Sequence, residues 1–159
     1  MRSFQLIGLP YEPFASLFTL SDDALAAVNV HRVVAAGKPG YPCRVSLVDA
    51  DVGEELLLLP FAHQPENSPY RSSGPIFVRR RATSARLEPN VVPDSVRHRL
   101  ISVRGYDSAH LMIEATVCDG NDSAREIMSM LTRDEVAYIH LHNAKRGCFT
   151  CTVLPIGST

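Results

Sequence analysis

Residues 136–151 read VAYIHLHNAKRGCFTC, and this stretch is the best guide to how the chain folds. Its first half alternates in character, so Tyr138, His140 and His142 are expected on one side of a β-strand. It also contains two histidines, an asparagine, two basic residues and two cysteines. No other segment is as rich in reactive groups, so the stretch predicts both a strand and a candidate site.

Other segments share the strand pattern. In residues 110–117 apolar and polar residues alternate, which is typical of an antiparallel sheet with one buried face. We expect the buried side of that strand to consist of Leu111, Ile113, Ala115 and Val117. Further strands are predicted at residues 4–9, 30–35, 43–48, 54–61, 76–80 and 101–106.

Short helices are predicted between the strands. Ser21 is a suitable N-cap for residues 22–27, which begin with two acids. Ser123 and Glu126 have the spacing of a capping box, and the apolar stripe of that helix is predicted to be Ala124, Ile127, Met128 and Leu131. Shorter helical segments are expected within residues 13–20 and 93–100.

Together these elements predict a single α+β domain spanning residues 1–159. It would have one mainly antiparallel, curved sheet with a few short helices packed on one face. The other face of the sheet would be partly polar. We expect the functional residues on that polar face.

Composition limits the classes of function. With 45% hydrophobic and 21% charged residues the chain is typical of a folded, soluble protein. Its net charge of −1 argues against a nucleic-acid binder. The longest apolar run, residues 56–62, is too short to cross a membrane, and the opening segment lacks the pattern of a secretory signal. We therefore expect a cytoplasmic protein with reduced cysteines.

The histidines and cysteines of residues 136–151 allow several kinds of chemistry. Zinc prefers imidazole and thiolate ligands, and the candidate ligands are His140, His142, Cys148 and Cys151. In a strand, however, the two cysteines project to opposite faces, so no metal or other cofactor is predicted by default. The Cys148–Cys151 pair would be a redox centre if it began a helix, but the residues after it favour a strand.

Catalysis is a further alternative, although the nucleotide-binding, hydrolase and zinc-protease motifs are absent from the sequence. His142 is the candidate general acid or base of an enzyme of unknown reaction. Cys43 or Cys148 would then be the nucleophile, with Asn143 orienting the histidine. A buried, unreactive thiol explains Cys43 equally well.

The polar sides of the predicted strands favour a different function, the binding of a small anionic molecule. Guanidinium and imidazole groups on one surface suit a carboxylate or phosphate, and aromatic rings would form the walls of a pocket. An irregular segment at residues 63–75 would close over the ligand. The predicted ligand-binding residues are Arg44, Tyr70, Arg71, Arg79, Arg104, Tyr106, His142 and Asn143.

Three alternatives stay open beside the anion site. The polar face can be a solvated surface without a ligand, His142 can serve an enzyme, and zinc can support a structural domain. No nucleic acid or membrane partner is expected. An edge strand at residues 149–154 would allow two chains to pair as a homodimer.

Several segments of the chain resemble a known family in the same order and over nearly the full length. They are LPYEPF near the start, KPGYPCRVSL at 38–47, GEELLLLPF at 53–61, SPYRSSGPIFVR at 68–79, RGYD at 104–107 and AYIHLHNAKRGC at 137–148. In these segments the chain is similar to the bacterial family called domain of unknown function 1203. The resemblance implies a single-domain bacterial protein and no particular activity, cofactor or partner.

Overall fold

Two antiparallel sheets form the framework of the protein. The computed structural model describes residues 2–157. The larger sheet has five strands in the order β1-β8-β7-β5-β6. Its strands are β1 (Ser3–Ile7), β5 (Leu100–Tyr106), β6 (Met112–Asp119), β7 (Tyr138–Asn143) and β8 (Phe149–Ile156). The smaller sheet has the order β2-β3-β4. Its strands are β2 (His31–Val34), β3 (Glu55–Gln64) and β4 (Ser72–Arg79).

The helices are short and lie between the strands. They are α1 (Glu12–Ala15), α2 (Asp22–Ala26), α3 (Asp94–Arg97) and α4 (Ser123–Met130), with 3-10 turns at Ser16–Thr19 and Gly120–Asp122. The Ser21 side chain accepts a hydrogen bond from the Ala24 amide, as expected of an N-cap. Within the described residues no helix has the length and apolar character that a membrane span requires.

Each sheet has its own hydrophobic core. In the five-stranded sheet, alternate residues of β5 and β7 point toward α4, where they are fully buried with Ile127 and Leu131. Those inward residues are Ile101, Val103, Ile139 and Leu141. In the three-stranded sheet, Leu57 and Leu59 of β3 pack with aromatic residues of the N-terminal helical segment, among them Phe14 and Phe18. The period of two thus determines the buried side of the five-stranded sheet, whereas β3 also buries Leu56 on its other side with Ala35 and Ala50.

The α+β class and the antiparallel pairing are confirmed, and the strands near residues 4–9, 30–35, 54–61, 76–80 and 101–106 are present. The structure differs in dividing the strands between two sheets. β2, β3 and β4 hydrogen-bond only with one another among the named strands. The apolar stripe of α4 is also correct, with Ile127 and Leu131 buried and Ala124 and Met128 packed at its edge.

The strand predicted at residues 43–48 is wrong. This segment is a tight turn, in which the Leu47 amide donates to the Cys43 carbonyl and the Cys43 amide donates to the Val48 carbonyl. Leu47 has a φ of 56°, in the left-handed region. A single bridge joins Cys43 to Phe77 of β4. Alternation in so short a segment is therefore insufficient evidence for a strand.

β3 is longer than predicted. Pro60 suggested that the strand ends near residue 61, and residues 63–75 were expected to be irregular. In the structure β3 continues to Gln64 and β4 begins at Ser72. Pro60 lies opposite Pro75, so the two residues that lack an amide proton share one position of the ladder. The extension has functional consequences because it includes His63.

Three smaller predictions are also corrected. Ala115 and Val117 of β6 are exposed rather than buried, since the β5–β6 register shifts next to Gly105 and reverses the faces. The Ser123 hydroxyl donates to the Gly120 carbonyl, and α4 begins without a side-chain cap. Residues 149–154 are not an edge strand, because β8 pairs with both β1 and β7.

The end of β1 contacts the turn at residues 43–48, which joins the two halves of the fold. The Gly8 amide donates to the Ala85 carbonyl at 2.7 Å, and the Ala85 amide donates to the Val45 carbonyl at 2.8 Å. A Cβ atom added at Gly8 would lie 1.9 Å from the Val45 carbonyl oxygen. Since that neighbour is backbone, only a shift of the chain would make room.

We predict that Gly8→Ala lowers the free energy of unfolding by about 1–3 kcal/mol, the usual cost of forcing extra atoms into a packed site. Gly74→Ala is the matched control, because a Cβ added at Gly74 has no neighbour within 4 Å. Urea denaturation of both variants measures the difference. Equal midpoints for the two variants would contradict the close approach at Gly8.

Candidate functional site

The face of the five-stranded sheet opposite α4 is lined by polar and aromatic side chains. In β5 and β7 the buried apolar residues face α4, and because side chains alternate along a strand, the residues between them face this side. The register sets them in pairs: Ser102 opposite His142, Arg104 opposite His140, and Tyr106 opposite Tyr138. The alignment of Tyr138, His140 and His142 predicted from the sequence is therefore correct.

The far end of β3 packs against this face and contributes a third histidine. The His63 ring lies 4.9 Å from the His142 ring and 6.4 Å from the His140 ring, measured between centroids. It also stacks on Phe149 of β8 at 5.6 Å. We call this surface the histidine face and define it by His63, Arg104, Tyr106, Tyr138, His140, His142 and Phe149.

His63 was not among the predicted site residues. The signal for it was present, because Leu59, Phe61 and His63 continue the alternation of β3 beyond Pro60. The closeness of His63 to β7 could not be predicted in this way. It arises from the packing of one sheet on another, which no local pattern in the sequence specifies.

Tyrosines form one end of the histidine face. The Tyr106 and Tyr138 rings stack with centroids 5.2 Å apart, and the Tyr106 ring lies 5.0 Å from the His140 ring. The Tyr138 hydroxyl accepts a hydrogen bond from Gln64 Nε2 at 2.9 Å and lies 2.8 Å from His110 Nδ1. Burial raises the pKa of both Tyr106 and Tyr138, so both phenols stay protonated at neutral pH.

Three ring nitrogens of the histidine face are buried without a hydrogen-bond partner in the part of the chain that the structure describes. They are His63 Nδ1, His140 Nδ1 and His142 Nε2. Each such atom costs about 1–3 kcal/mol when its hydrogen bond is left unmade. Three of them at one place indicate a site that water or a ligand completes.

The tautomer of His142 follows from its one hydrogen bond. Nδ1 lies 2.8 Å from the Gly147 carbonyl oxygen in the turn between β7 and β8. A carbonyl oxygen only accepts, so Nδ1 carries the proton and donates it. In the neutral ring Nε2 then has a free lone pair. Nε2 is also one of the three atoms without a partner.

The histidines of the face are neutral at physiological pH. Burial lowers the pKa of His140 to about 3, with a smaller contribution from His142. Burial likewise lowers the pKa of His142 to about 4, although the hydrogen bond to Gly147 opposes this effect. The pKa of His63 is lowered mainly by burial and then by the charge of Arg104. The cluster is thus a group of uncharged imidazoles beside a cation.

Arg104 is that cation. Its Nε donates to Ser102 Oγ at 3.1 Å, which draws the guanidinium along β5 toward the residue opposite His142. Neither terminal nitrogen of Arg104 has a hydrogen-bond partner within residues 2–157, and no carboxylate of these residues forms an ion pair with it. The planar fork that binds oxyanions is therefore free.

Arg44 supplies a second positive charge next to the backbone of Phe149. Its side chain is only 3% exposed and donates to the Phe149 carbonyl at 2.7 Å and to the Pro42 carbonyl. Burial lowers the pKa of Arg44 to about 10, so it stays charged at neutral pH. Its charge also contributes to the low pKa of His142.

The structure separates other predicted residues from this face. Arg79 lies on β4 and forms an ion pair with the Glu54 carboxylate at 2.7 Å. Its partner on β3 is Leu56. Leu56 is seven residues before His63 on β3, which is a distance of roughly 23 Å along the strand. Asn143 lies opposite the buried Ile101, so it projects to the side away from His142.

The loop between β3 and β4 reaches one end of the face. Tyr70 lies 6.2 Å from Tyr106 between ring centroids, and Ser68 Oγ donates to the His110 carbonyl at 2.9 Å. Arg71 follows with an exposed side chain. Two grooves of about 320 and 370 Å³ lie elsewhere, beside Arg2 and beside His31, and neither includes a residue of the histidine face.

The candidate zinc ligands do not converge. Cys151 lies opposite Leu141 and is buried in the α4-side core, whereas His140 and His142 point away from that core. Burial raises the pKa of the Cys151 thiol to about 12, which disfavours a thiolate. Among residues 2–157 no group of three or more His, Cys, Asp or Glu is placed to hold a metal ion.

The cysteine chemistries are not supported by these positions either. Cys148 and Cys151 are free thiols. Cys148 directly precedes β8 and Cys151 lies within it, so neither is at the N-terminus of a helix that would activate it. Cys43 is buried in the core of the three-stranded sheet, where its sulfur accepts from the amides of Ser46 and Arg79. Its contacts place Cys43 with Arg79, away from His142.

The low pKa of His142 predicts how stability depends on pH. In the unfolded chain the ring takes up a proton near its ordinary pKa of about 6.5, but in the folded protein it stays neutral down to about pH 4. Stability should therefore fall as the pH falls through this window, by about 1.4 kcal/mol per pH unit for each such histidine.

We expect His142→Asn to reduce the slope of unfolding free energy against pH between pH 6 and 4.5, because about one proton fewer is taken up on unfolding. The asparagine amide can still donate to the Gly147 carbonyl. Unfolding free energies from denaturant titrations at several pH values give the slope. His31→Asn, at an exposed position on β2, is the control. A slope unchanged from the wild type in His142→Asn would contradict the neutral state of His142.

Comparison with known proteins identifies one family. The model of the family described as "Protein of unknown function (DUF1203)" matches residues 40–154, which include every residue of the histidine face. Neither the curated proteins nor the solved structures give a match. The family match covers well over half of the chain. The protein therefore belongs to the domain of unknown function 1203 family.

Proposed function

We propose that the protein binds a small anionic molecule at the histidine face. The observation that carries this proposal is the free guanidinium of Arg104 beside the three histidines with unpartnered ring nitrogens. An oxyanion would accept hydrogen bonds from the guanidinium and from the Nδ1 atoms of His63 and His140 when these carry the ring proton.

The contrast with other arginines supports this proposal. Arg79 is paired with Glu54, Arg99 with Asp49 and Arg133 with Glu114. Arg44 and Arg104 have no such partner within the described residues, although Arg44 is almost fully buried. An unpaired charge in a poorly solvated place is costly, and a bound anion would offset that cost.

The burial of the face limits the size of the ligand. His140 is 5% exposed and His142 is 0% exposed, so a ligand group that reaches their ring nitrogens would have only a few atoms. Arg104 would hold the anionic oxygens with its free fork, and Tyr106, His63 and His140 would surround them. Tyr70 would close the tyrosine end, with Arg71 next to it at the rim.

The charge of Arg44 would act on the ligand through the Phe149 backbone rather than by direct contact. Arg79 and Asn143 are not part of the proposed anion site. Their side chains are engaged with Glu54 and Thr150, respectively.

Catalysis by His142 is the second candidate, because the hydrogen bond to Gly147 leaves Nε2 free to take a proton. The pKa of about 4 favours binding over catalysis. A general base works best with a pKa near the working pH, so His142 is a weak base and is better suited to accept a hydrogen bond. Binding is therefore the preferred proposal.

We also propose that the protein acts in a bacterial cytoplasm. The four cysteines are free thiols, and two of them, Cys43 and Cys151, are buried in separate cores. Unpaired cysteines are usual in a reducing compartment. Immunodetection in fractions of the source cells, with cytoplasmic and envelope markers, tests this location.

The anion proposal predicts a rise in thermal stability. At an anion concentration about ten times the dissociation constant, binding adds about 1.4 kcal/mol and raises the melting temperature by roughly 3–6 °C. Phosphate, acetate and citrate are compared with chloride at constant ionic strength, because general salt effects are then equal.

The Arg104→Gln variant should lose the rise in melting temperature, since the free guanidinium is gone. Arg86→Gln changes the net charge equally at an exposed position and should keep the rise. If no anion stabilises the wild type, or if Arg104→Gln responds as the wild type does, the proposal is wrong and the face is only a buried polar surface.

A further inference from the structure

We infer that the anion bound at the histidine face is a protonated phosphate group, and that His142 accepts a hydrogen bond from its P–OH. This inference rests on the proposed function, because it requires an anion next to Arg104. It goes further by naming the chemical class of the ligand and the residue that selects it.

His142 is restricted to the acceptor role. Its Nδ1–H is used by the Gly147 carbonyl, which cannot donate, so Nε2 of the neutral ring can only accept. Burial also keeps the ring neutral at physiological pH. A fully ionised oxyanion has only lone pairs, and two lone pairs facing each other repel.

Within residues 2–157 no protein group donates to Nε2. His142 is completely buried, and its Nε2 has no hydrogen-bond partner among these residues. A ligand hydroxyl would complete the hydrogen bonding of Nε2.

The register places Arg104 diagonally across from His142 on the same face, so a single small group would contact both. Ser102 lies directly opposite His142, and Arg104 Nε is bonded to the Ser102 hydroxyl at 3.1 Å. One nitrogen of the guanidinium is therefore held at the residue opposite His142. A tetrahedral phosphate can present two anionic oxygens to the arginine fork and its P–OH to Nε2.

Sulfate is the discriminating probe because it has the shape of phosphate but no proton at neutral or mildly acidic pH. A site that hydrogen-bonds a ligand hydroxyl rejects an analogue that lacks it, since a buried polar group is then left unpaired. We expect phosphate to bind roughly tenfold more tightly than sulfate, or better.

The experiment is isothermal titration calorimetry of the full chain with phosphate, sulfate and methyl phosphate at pH 6 and constant ionic strength. Near pH 6 about half of a phosphate monoester still carries its proton. Comparable binding of methyl phosphate indicates that a phosphate ester is the ligand, whereas binding of inorganic phosphate alone indicates the free ion. Both results support the inference.

His142→Asn tests the role of the histidine. The asparagine amide can replace Nδ1–H toward the Gly147 carbonyl, but nothing replaces Nε2. We expect phosphate binding to weaken and the preference over sulfate to fall close to one. The matched control is His110→Asn. It removes an imidazole at the edge of the face and should leave the preference for phosphate over sulfate unchanged.

The outcomes separate the two proposals. Equal affinity of the wild type for phosphate and sulfate overturns the inference and leaves the anion site standing. Binding of neither ion, with acetate and citrate also inactive, overturns the proposed function itself. If His142→Asn fails to fold, long-range 1H–15N spectra of the wild type decide the tautomer. A proton on Nε2 rather than on Nδ1 would overturn the inference.

Discussion

The pairing of β5 with β7 is the constraint on which the rest of the structure depends. It places Arg104 opposite His140 and Ser102 opposite His142, while Ile101, Val103, Ile139 and Leu141 face α4. A shift by one residue would exchange these two sets and bury the arginine in the apolar core. The same register therefore secures the core and assembles the polar face, and neither can change without the other.

The second sheet changes the chemistry of that face. Without β3 it would be a solvated sheet surface, on which histidines titrate near their ordinary pKa. The far end of β3 brings His63 over His142 at 4.9 Å, and the rings lose their contact with water. Burial then lowers the pKa of His140 and His142 to about 3 and 4, which turns potential cations into neutral hydrogen-bonding groups. Positive charge is supplied by Arg44 and Arg104, the two arginines that lack a carboxylate partner among the described residues and are not exposed.

The same burial explains why anion binding is preferred to metal binding or catalysis as the proposed function. Cys151 is held in the opposite core, so the imidazoles have no thiolate beside them. A histidine with a pKa of about 4 accepts a hydrogen bond well and a proton poorly. Membership in the domain of unknown function 1203 family adds no activity to this interpretation, since the family is described only as one of unknown function.

Much of the fold was determined by the sequence alone. The alternation in β5 and β7 and the apolar stripe of α4 identify the buried sides, because the periods of strands and helices are local properties. The site was only half predictable. Arg104, Tyr106 and His142 are on one strand face as expected, but Arg79 is taken by Glu54 in the other sheet, and Arg44 lies in a turn rather than a strand. The contact of His63 with His142, the neutral state of the histidines and the unpaired charge of Arg104 were decided only by the tertiary structure, because each depends on which distant segments exclude water from the same place.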